Sequence, residues 1–208
     1  MKEYFILTID ELWGLADSEP ERAERIKDSL GSFSCRRSPH IERFAHRQME
    51  IAEKQGESRS YLLLEQGTDA FLGFFTLGLT SVDWEQVENS DGWKSAYGKK
   101  KRKSFSSGLM KRDGSHIGVF TIGELARDDN VSAEELPGAQ ILREALGYVI
   151  EAQHITAGRF VLVDSREILY RKLYGLAGFT EIAQRKSPNP DEDIPFVVSI
   201  LPIKGISL

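Results

Sequence analysis

The chain has a single cysteine, Cys35, in 208 residues. An internal disulfide framework is therefore excluded, and a reducing compartment is expected. Its four histidines, His40, His46, His116 and His154, share no metal-like spacing. No metal site is expected from them. Cys35 as an acyl-accepting nucleophile would need an adjacent base, and the sequence shows none. A small buried hydrophobe is its simpler role. No apolar run approaches the ~20 residues of a membrane helix. The stretch Tyr4-Phe5-Ile6-Leu7-Thr8 breaks at Asp10-Glu11, short of a signal-peptide core. A cytoplasmic protein without a membrane partner is the expectation.

A strong positive field is also missing. The net charge is -5, which argues against nonspecific nucleic-acid binding by the whole surface. One segment runs the other way: Lys99-Lys100-Lys101-Arg102-Lys103 is an unbroken basic run, followed by Lys111-Arg112. It reads either as a solvated insertion loop or as an electrostatic patch for an acidic or phosphate-bearing partner. Nucleic acid is admitted only through Lys99 to Lys103. With 40% hydrophobic and 28% charged residues, the composition is that of an ordinary globular protein. The length suffices for a single domain spanning residues 1–208.

Turn and cap residues divide the chain. Ser18 and Glu21 have capping-box spacing around Pro20, opening a helix that ends at Leu30-Gly31. A second helix follows Ser38-Pro39, with Ile41, Phe44, Ala45, Met49 and Ala52 on one face and Gly56 closing it. Strands are expected at Arg59–Glu65 and Phe71–Leu77, joined by a turn at Gln66-Gly67-Thr68-Asp69. Residues 1–57 hold the variable N-terminal helices. Residues 81–116 turn polar and read as an insertion outside the core. Trp84 and Trp93 within it are packing residues or line an acceptor pocket.

The chemistry-bearing stretch runs from Val119 to Phe179. A β-branched and apolar strand, Val119 to Ala126, stops at polar Arg127-Asp128-Asp129-Asn130. Pro137-Gly138 then opens an amphipathic helix with Ile141, Leu142, Ala145, Leu146, Val149 and Ala152 on one stripe. A strand at Arg159–Asp164 precedes a helix over 166–176, with Ile168, Leu169, Leu173 and Leu176 expected inward. Tyr174-Gly175-Leu176-Ala177-Gly178-Phe179 ends it. A short strand to Ala183, a loop at Ser187-Pro188-Asn189-Pro190 and a strand over Ile194–Leu201 complete the chain. Alternating elements of this kind imply a mixed sheet flanked by helices.

This order, and the Tyr-x-x-x-Gly-Phe ending above all, resembles the acetyl-CoA-binding half of the GNAT acyltransferase superfamily. The resemblance covers most of the chain from Tyr61 to Leu201. It implies an α/β fold of the α+β type: a mixed, mostly antiparallel central sheet with splayed parallel central strands. It implies an acetyl-CoA-dependent N-acetyltransferase in which a primary amine attacks the thioester directly. The acceptor stays open among a small molecule, a protein amine and an aminoacyl-tRNA, and a homodimer stays open too. A non-catalytic cofactor-sensing or protein-interaction module on the same scaffold is the alternative.

The resemblance also assigns roles. Leu136, Pro137, Gly138 and Ala139 would receive the cofactor pyrophosphate, because a helix N-terminus leaves amides unpaired and favours an anion. The chain departs from the family pattern there: only Gly138 remains of the glycines, and Leu136 replaces an earlier one. Leu125, Ala126 and Arg127 would offer backbone groups to the pantetheine arm. Glu124, near the end of the central strand, is the candidate general base. The alternative for it is a strand glutamate facing solvent or pairing with a lysine. Tyr174 matches the family tyrosine that protonates the leaving thiolate, since a phenol stays protonated near neutral pH. A core aromatic is the alternative there, and Tyr170 the weaker stand-in. Glu167 stands where the family often has asparagine.

Overall fold

The computed structural model describes residues 2–109, 114–187 and 194–206. Lys111, Arg112 and residues Pro188, Asn189 and Pro190 of the loop expected after Ser187 lie outside the described residues. In chain order the elements are β1 (Tyr4–Thr8), α1 (Ile9–Ser18), α2 (Pro20–Gly31), α3 (Pro39–Arg43), α4 (Met49–Gln55), β2 (Ser58–Glu65) and β3 (Phe71–Asp83). After β3 come α5 (Trp84–Asn89), α6 (Asp91–Ala96), α7 (Lys99–Ser106), β4 (His116–Arg127), α8 (Gly138–Thr156), β5 (Phe160–Arg166), α9 (Glu167–Leu169), β6 (Thr180–Lys186) and β7 (Pro195–Pro202). π-helical turns at Phe44–Gln48 and Tyr170–Tyr174 join α3 to α4 and extend α9.

The strands form a 7-stranded sheet in the order β1-β2-β3-β4-β5-β7-β6. β1 with β2, β2 with β3, β5 with β7 and β6 with β7 pair antiparallel, and one pair in the sheet is parallel. β4 and β5 are neighbours connected through α8, the long crossover that parallel strands require. The mixed, mostly antiparallel sheet flanked by helices is as the sequence implied. The chain falls into two compact units, residues 2–78 with 122–147, and residues 79–121 with 148–206.

The first unit is organised around Phe33, whose ring meets Phe71 and Phe74 edge-on at 5.5 and 5.6 Å. Ile9, Leu12, Ile26, Met49 and Leu62 complete that core. The capping box of this unit is not at Ser18 and Glu21. Thr8 caps α1: its hydroxyl accepts from the Glu11 amide at 3.1 Å while the Glu11 carboxylate accepts from the Thr8 amide at 2.7 Å. Thr8 is the last residue of β1, opposite Tyr61, so the chain must turn from strand to helix there. Ser18 is the last residue of α1, and α2 begins on Pro20 without a side-chain cap. The helix expected after Ser38 is present but broken by one wide turn. Gly56 ends it at φ 70°, a left-handed conformation that suits glycine.

The second unit overturns the expectation that residues 81–116 stand outside the core. Trp84, Val87 and Trp93 are completely buried there, beside Val119, Phe160, Ile182 and Ile200. The Trp84 ring lies 4.9 Å from that of Phe160 and 5.6 Å from that of Trp93. An aromatic side chain buries roughly 150–250 Å². At about 25 cal/mol per Å², two tryptophans outweigh the polarity of the residues around them. Gly92 lets α6 sit directly on β6, since a Cβ there would come within 2.1 Å of the Glu181 carbonyl oxygen.

Candidate active site

Glu124 and the cofactor-binding candidates Leu125 to Arg127 and Leu136 to Ala139 all belong to the first unit. Glu124 projects from β4, half-buried, and its amide donates to the Thr76 hydroxyl on β3 at 2.9 Å. The carboxylate meets His40: Oε1 lies 3.3 Å from Nε2. A carboxylate only accepts, so Nε2–H is the donor in that contact. His40 arrives on the first turn of α3, and two aspartates after β4 hold the segment leading into that helix. The Asp128 carboxylate accepts from the amides of Ser34 and Asn130 at 2.9 and 2.7 Å. That of Asp129 accepts from the Arg36 amide at 2.7 Å, and the Asp129 amide donates to the Ser34 carbonyl. The Arg36 amide and guanidinium, with Arg37, hold Asp129 below the ordinary carboxylate range.

Arg127, the last residue of β4, was expected to contribute only its backbone. Its guanidinium reaches across the connection, and NH1 donates to the Leu136 carbonyl at 2.9 Å. That places a cation at the head of α8, where the glycine-poor sequence shows no basic residue. Arginine has five donor hydrogens, so most remain for another acceptor. Leu136 is fully buried, whereas Pro137 and Gly138 are half-buried and Ala139 is exposed. No acidic residue stands in the first turn of α8; the Gln140 and Ile141 amides donate to the Pro137 carbonyl at 2.9 and 3.3 Å, which leaves the Gly138 and Ala139 amides as the donors of this helix end. This donor set fits an anion such as a pyrophosphate. Gly73 belongs to the same neighbourhood: a Cβ there would lie 2.5 Å from the Ala126 carbonyl oxygen and 3.1 Å from the Arg127 Cα.

A triad fixes α8 from its outer face. Gln140 donates to the Tyr4 hydroxyl and to Glu144 at 2.8 Å each, and Tyr4 donates to Glu144 at 2.6 Å. Burial and the adjacent Glu144 push the Tyr4 phenol up to about 12.

Tyr174 lies in the second unit, at the end of the π-helical turn, and is 5% exposed. Its ring meets Phe179 edge-on at 5.5 Å. The inward face expected for this helix is corrected: Ile168, Leu169 and Leu176 are exposed and Tyr174 is buried. The Gly175 amide donates to the Tyr170 carbonyl at 2.7 Å, five residues back. One extra residue in the turn rotates the end of the helix and brings the tyrosine inward. Gly178 then reverses the chain at φ 91°. Tyr170 cannot stand in for Tyr174 while its hydroxyl accepts from the Glu181 amide at 3.2 Å and donates to the Phe179 carbonyl at 3.4 Å.

Sequence reasoning missed His40, Thr76, Asp128, Asp129 and the side-chain role of Arg127. Arg127-Asp128-Asp129-Asn130 stood out only as a polar stop. Among the described residues no three metal-ligating side chains come together. No described helix is long and apolar enough to cross a membrane.

No family model and no curated protein matches the chain. Solved structures do. A tyrosine-to-phenylalanine mutant of KacT aligns with a TM-score of 0.64 at 15% identity, over 98% of this chain and 96% of that one. AtaT complexed with acetyl-methionyl-tRNAfMet gives 0.59 at 18% identity, over 84% and 88%. AtaTR bound with AcCoA gives 0.57 at 15% identity, over 98% and 96%. At these identities the likeness establishes fold. The chain has the GNAT fold that its Val119–Phe179 stretch resembles.

Proposed function

We propose that the chain works as one acetyl-CoA-dependent N-acetyltransferase domain. The observation that carries this is Arg127 at the head of α8, a cation supplied from the central strand to a helix N-terminus free of acid. That pairing suits the cofactor pyrophosphate, with Leu136, Pro137, Gly138 and Ala139 around it and the backbone of Leu125, Ala126 and Arg127 along the pantetheine arm. The neutral amine attacks the thioester carbonyl carbon, so a C–N bond forms and the C–S bond breaks. Glu124 takes the proton from the amine, with His40 orienting its carboxylate. The phenol of Tyr174 supplies a proton to the departing thiolate. AtaTR has been seen with AcCoA and AtaT with acetyl-methionyl-tRNAfMet, which favours an aminoacyl-tRNA among the open acceptors. The reaction would run in the cytoplasm, in keeping with the one free cysteine, buried Cys35.

Thermal melting with acetyl-CoA tests the binding half of this proposal. Ligand at 100 times its dissociation constant adds ~2.7 kcal/mol, a shift of several degrees. No shift at millimolar acetyl-CoA overturns it. Thiol release on adding aminoacyl-tRNA or small amines tests the transfer half. Binding without release from any acceptor would favour the non-catalytic module.

A further inference from the structure

The basic run forms α7, an eight-residue helix with four lysines and an arginine in its first five positions and no acid in its first turn. Cations sit badly at a helix N-terminus, and neighbouring lysines repel one another. The helix that carries them is weakened by them, so its stability comes from its other face. There the Lys101 ammonium lies over the Tyr97 and Phe105 rings, at 5.1 and 5.9 Å from their centres. Phe105 packs 5.2 Å from Trp93 and 6.0 Å from Phe160. Trp84 Nε1 donates to the Ser106 hydroxyl at 3.3 Å, which donates in turn to the Glu88 carboxylate. Arg159 closes the far end, donating to the carbonyls of Ser107 and Ser104 at 2.8 and 3.1 Å.

The result is a fixed ledge of charge, not a self-repelling loop. Lys99, Lys100 and Lys103 are exposed, and among the described residues none of them has a carboxylate within ion-pair distance. Three exposed cations held side by side, with no carboxylate at ion-pair distance among the described residues, in a chain of net charge -5, suit an anionic partner. Lysine presents a point charge on a flexible stem, which can meet a phosphate oxygen without a fixed approach direction.

We propose that α7 is a docking helix for RNA, with Lys99, Lys100 and Lys103 on consecutive backbone phosphates. The choice of RNA rests on the acceptor favoured under Proposed function; the ledge itself does not. The contact is electrostatic and blind to base identity, so it adds affinity without selecting sequence.

The test is the affinity of the full chain for a deacylated tRNA transcript between 50 and 200 mM salt. The variant is Lys99→Gln/Lys100→Gln/Lys103→Gln, which leaves Lys101 on its aromatic rings. Each phosphate neutralised contributes roughly 0.7–0.9 to the slope of log affinity against log salt. The triple variant should lose about two to three from that slope and bind at least ~10-fold more weakly at the low-salt end. The corresponding triple lysine-to-arginine variant should keep the wild-type slope, which separates charge loss from misfolding. Unchanged slope and affinity in the glutamine variant overturn the proposal, as does absence of tRNA binding by the wild type at 50 mM salt. Displacement of the tRNA by polyglutamate at equal charge would also overturn it, in favour of an acidic protein partner. A parallel titration with acetyl-CoA keeps the two proposals apart. Loss of cofactor binding with tRNA binding intact removes the transferase and leaves the docking helix.

Discussion

His40 Nε2 lies 3.3 Å from Glu124 Oε1, across 84 residues of sequence. The histidine sits on a helix whose approach is tied, through Ser34 and Arg36, to the two aspartates just past the end of the glutamate's own strand. Movement of α3 would therefore change the setting of the carboxylate.

Glu124→Gln keeps the side chain's shape and removes its basicity. Turnover should fall roughly 100- to 10,000-fold, the usual contribution of general base catalysis, with acetyl-CoA affinity unchanged. His40→Ala should act through position. A smaller loss of kcat is expected at unchanged KM, with rescue by His40→Gln, whose side-chain amide can still donate to the carboxylate. An unchanged kcat would leave the histidine with no part in orienting the base.

Arg127→Gln removes the cation at the head of α8 while sparing a donor for the Leu136 carbonyl. A hydrogen bond to a charged group contributes about 1.5–3 kcal/mol, so the dissociation constant for acetyl-CoA should rise roughly 10- to 100-fold. Calorimetric titration decides this. An unchanged constant would move the pyrophosphate away from this helix end.

Tyr174→Phe keeps the edge-on packing against Phe179 and deletes only the hydroxyl. If the phenol protonates the thiolate, turnover falls roughly 100- to 10,000-fold while cofactor binding persists. A large drop in Tm with little kinetic effect would mean a structural role for this buried ring.

Trp93→Ala removes a fully buried indole from the core of the second unit. The expected loss is about 3–5 kcal/mol in denaturant-induced unfolding. A loss below ~0.5 kcal/mol, the scale of a surface substitution, would return residues 81–116 to the status of a surface insertion.

Stability should fall at both ends of the pH range, for opposite reasons. Asp69, bonded by Arg22 through Nε at 2.9 Å and NH2 at 2.8 Å, is held below its ordinary value. The unfolded chain then binds more protons, so stability is present above the ordinary carboxylate range and is lost as pH falls through the folded value. Tyr4, raised to about 12, behaves in reverse. The folded chain holds its proton longer, so stability is present below about 10 and is lost as pH rises towards the folded value. Unfolding curves of Tyr4→Phe should lack the alkaline loss, and those of Asp69→Asn should have a weaker acid one.

Local chemistry made much of this legible in the sequence. Gly56, Gly178 and Pro137 mark chain reversals and a helix start because backbone sterics act within a few residues. The apolar stripe of α8 and the β-branched run of β4 come from periodicity alone, and with Tyr174 and Phe179 they were enough to imply the fold. Contacts between distant segments had no such signature. His40 meets Glu124, and Trp84 and Trp93 meet Phe160, only after the strands have paired. The π-helical turn before Gly175 adds one residue that a regular helical count cannot see, and so exchanges Leu176 for Tyr174 at the buried face. Arg127 looked like the end of a strand until Leu136 came within its reach. Periodicity and turn chemistry act along the chain. Which charges meet and which aromatics are buried depends on free energies that exist only once the whole sheet has brought remote residues together.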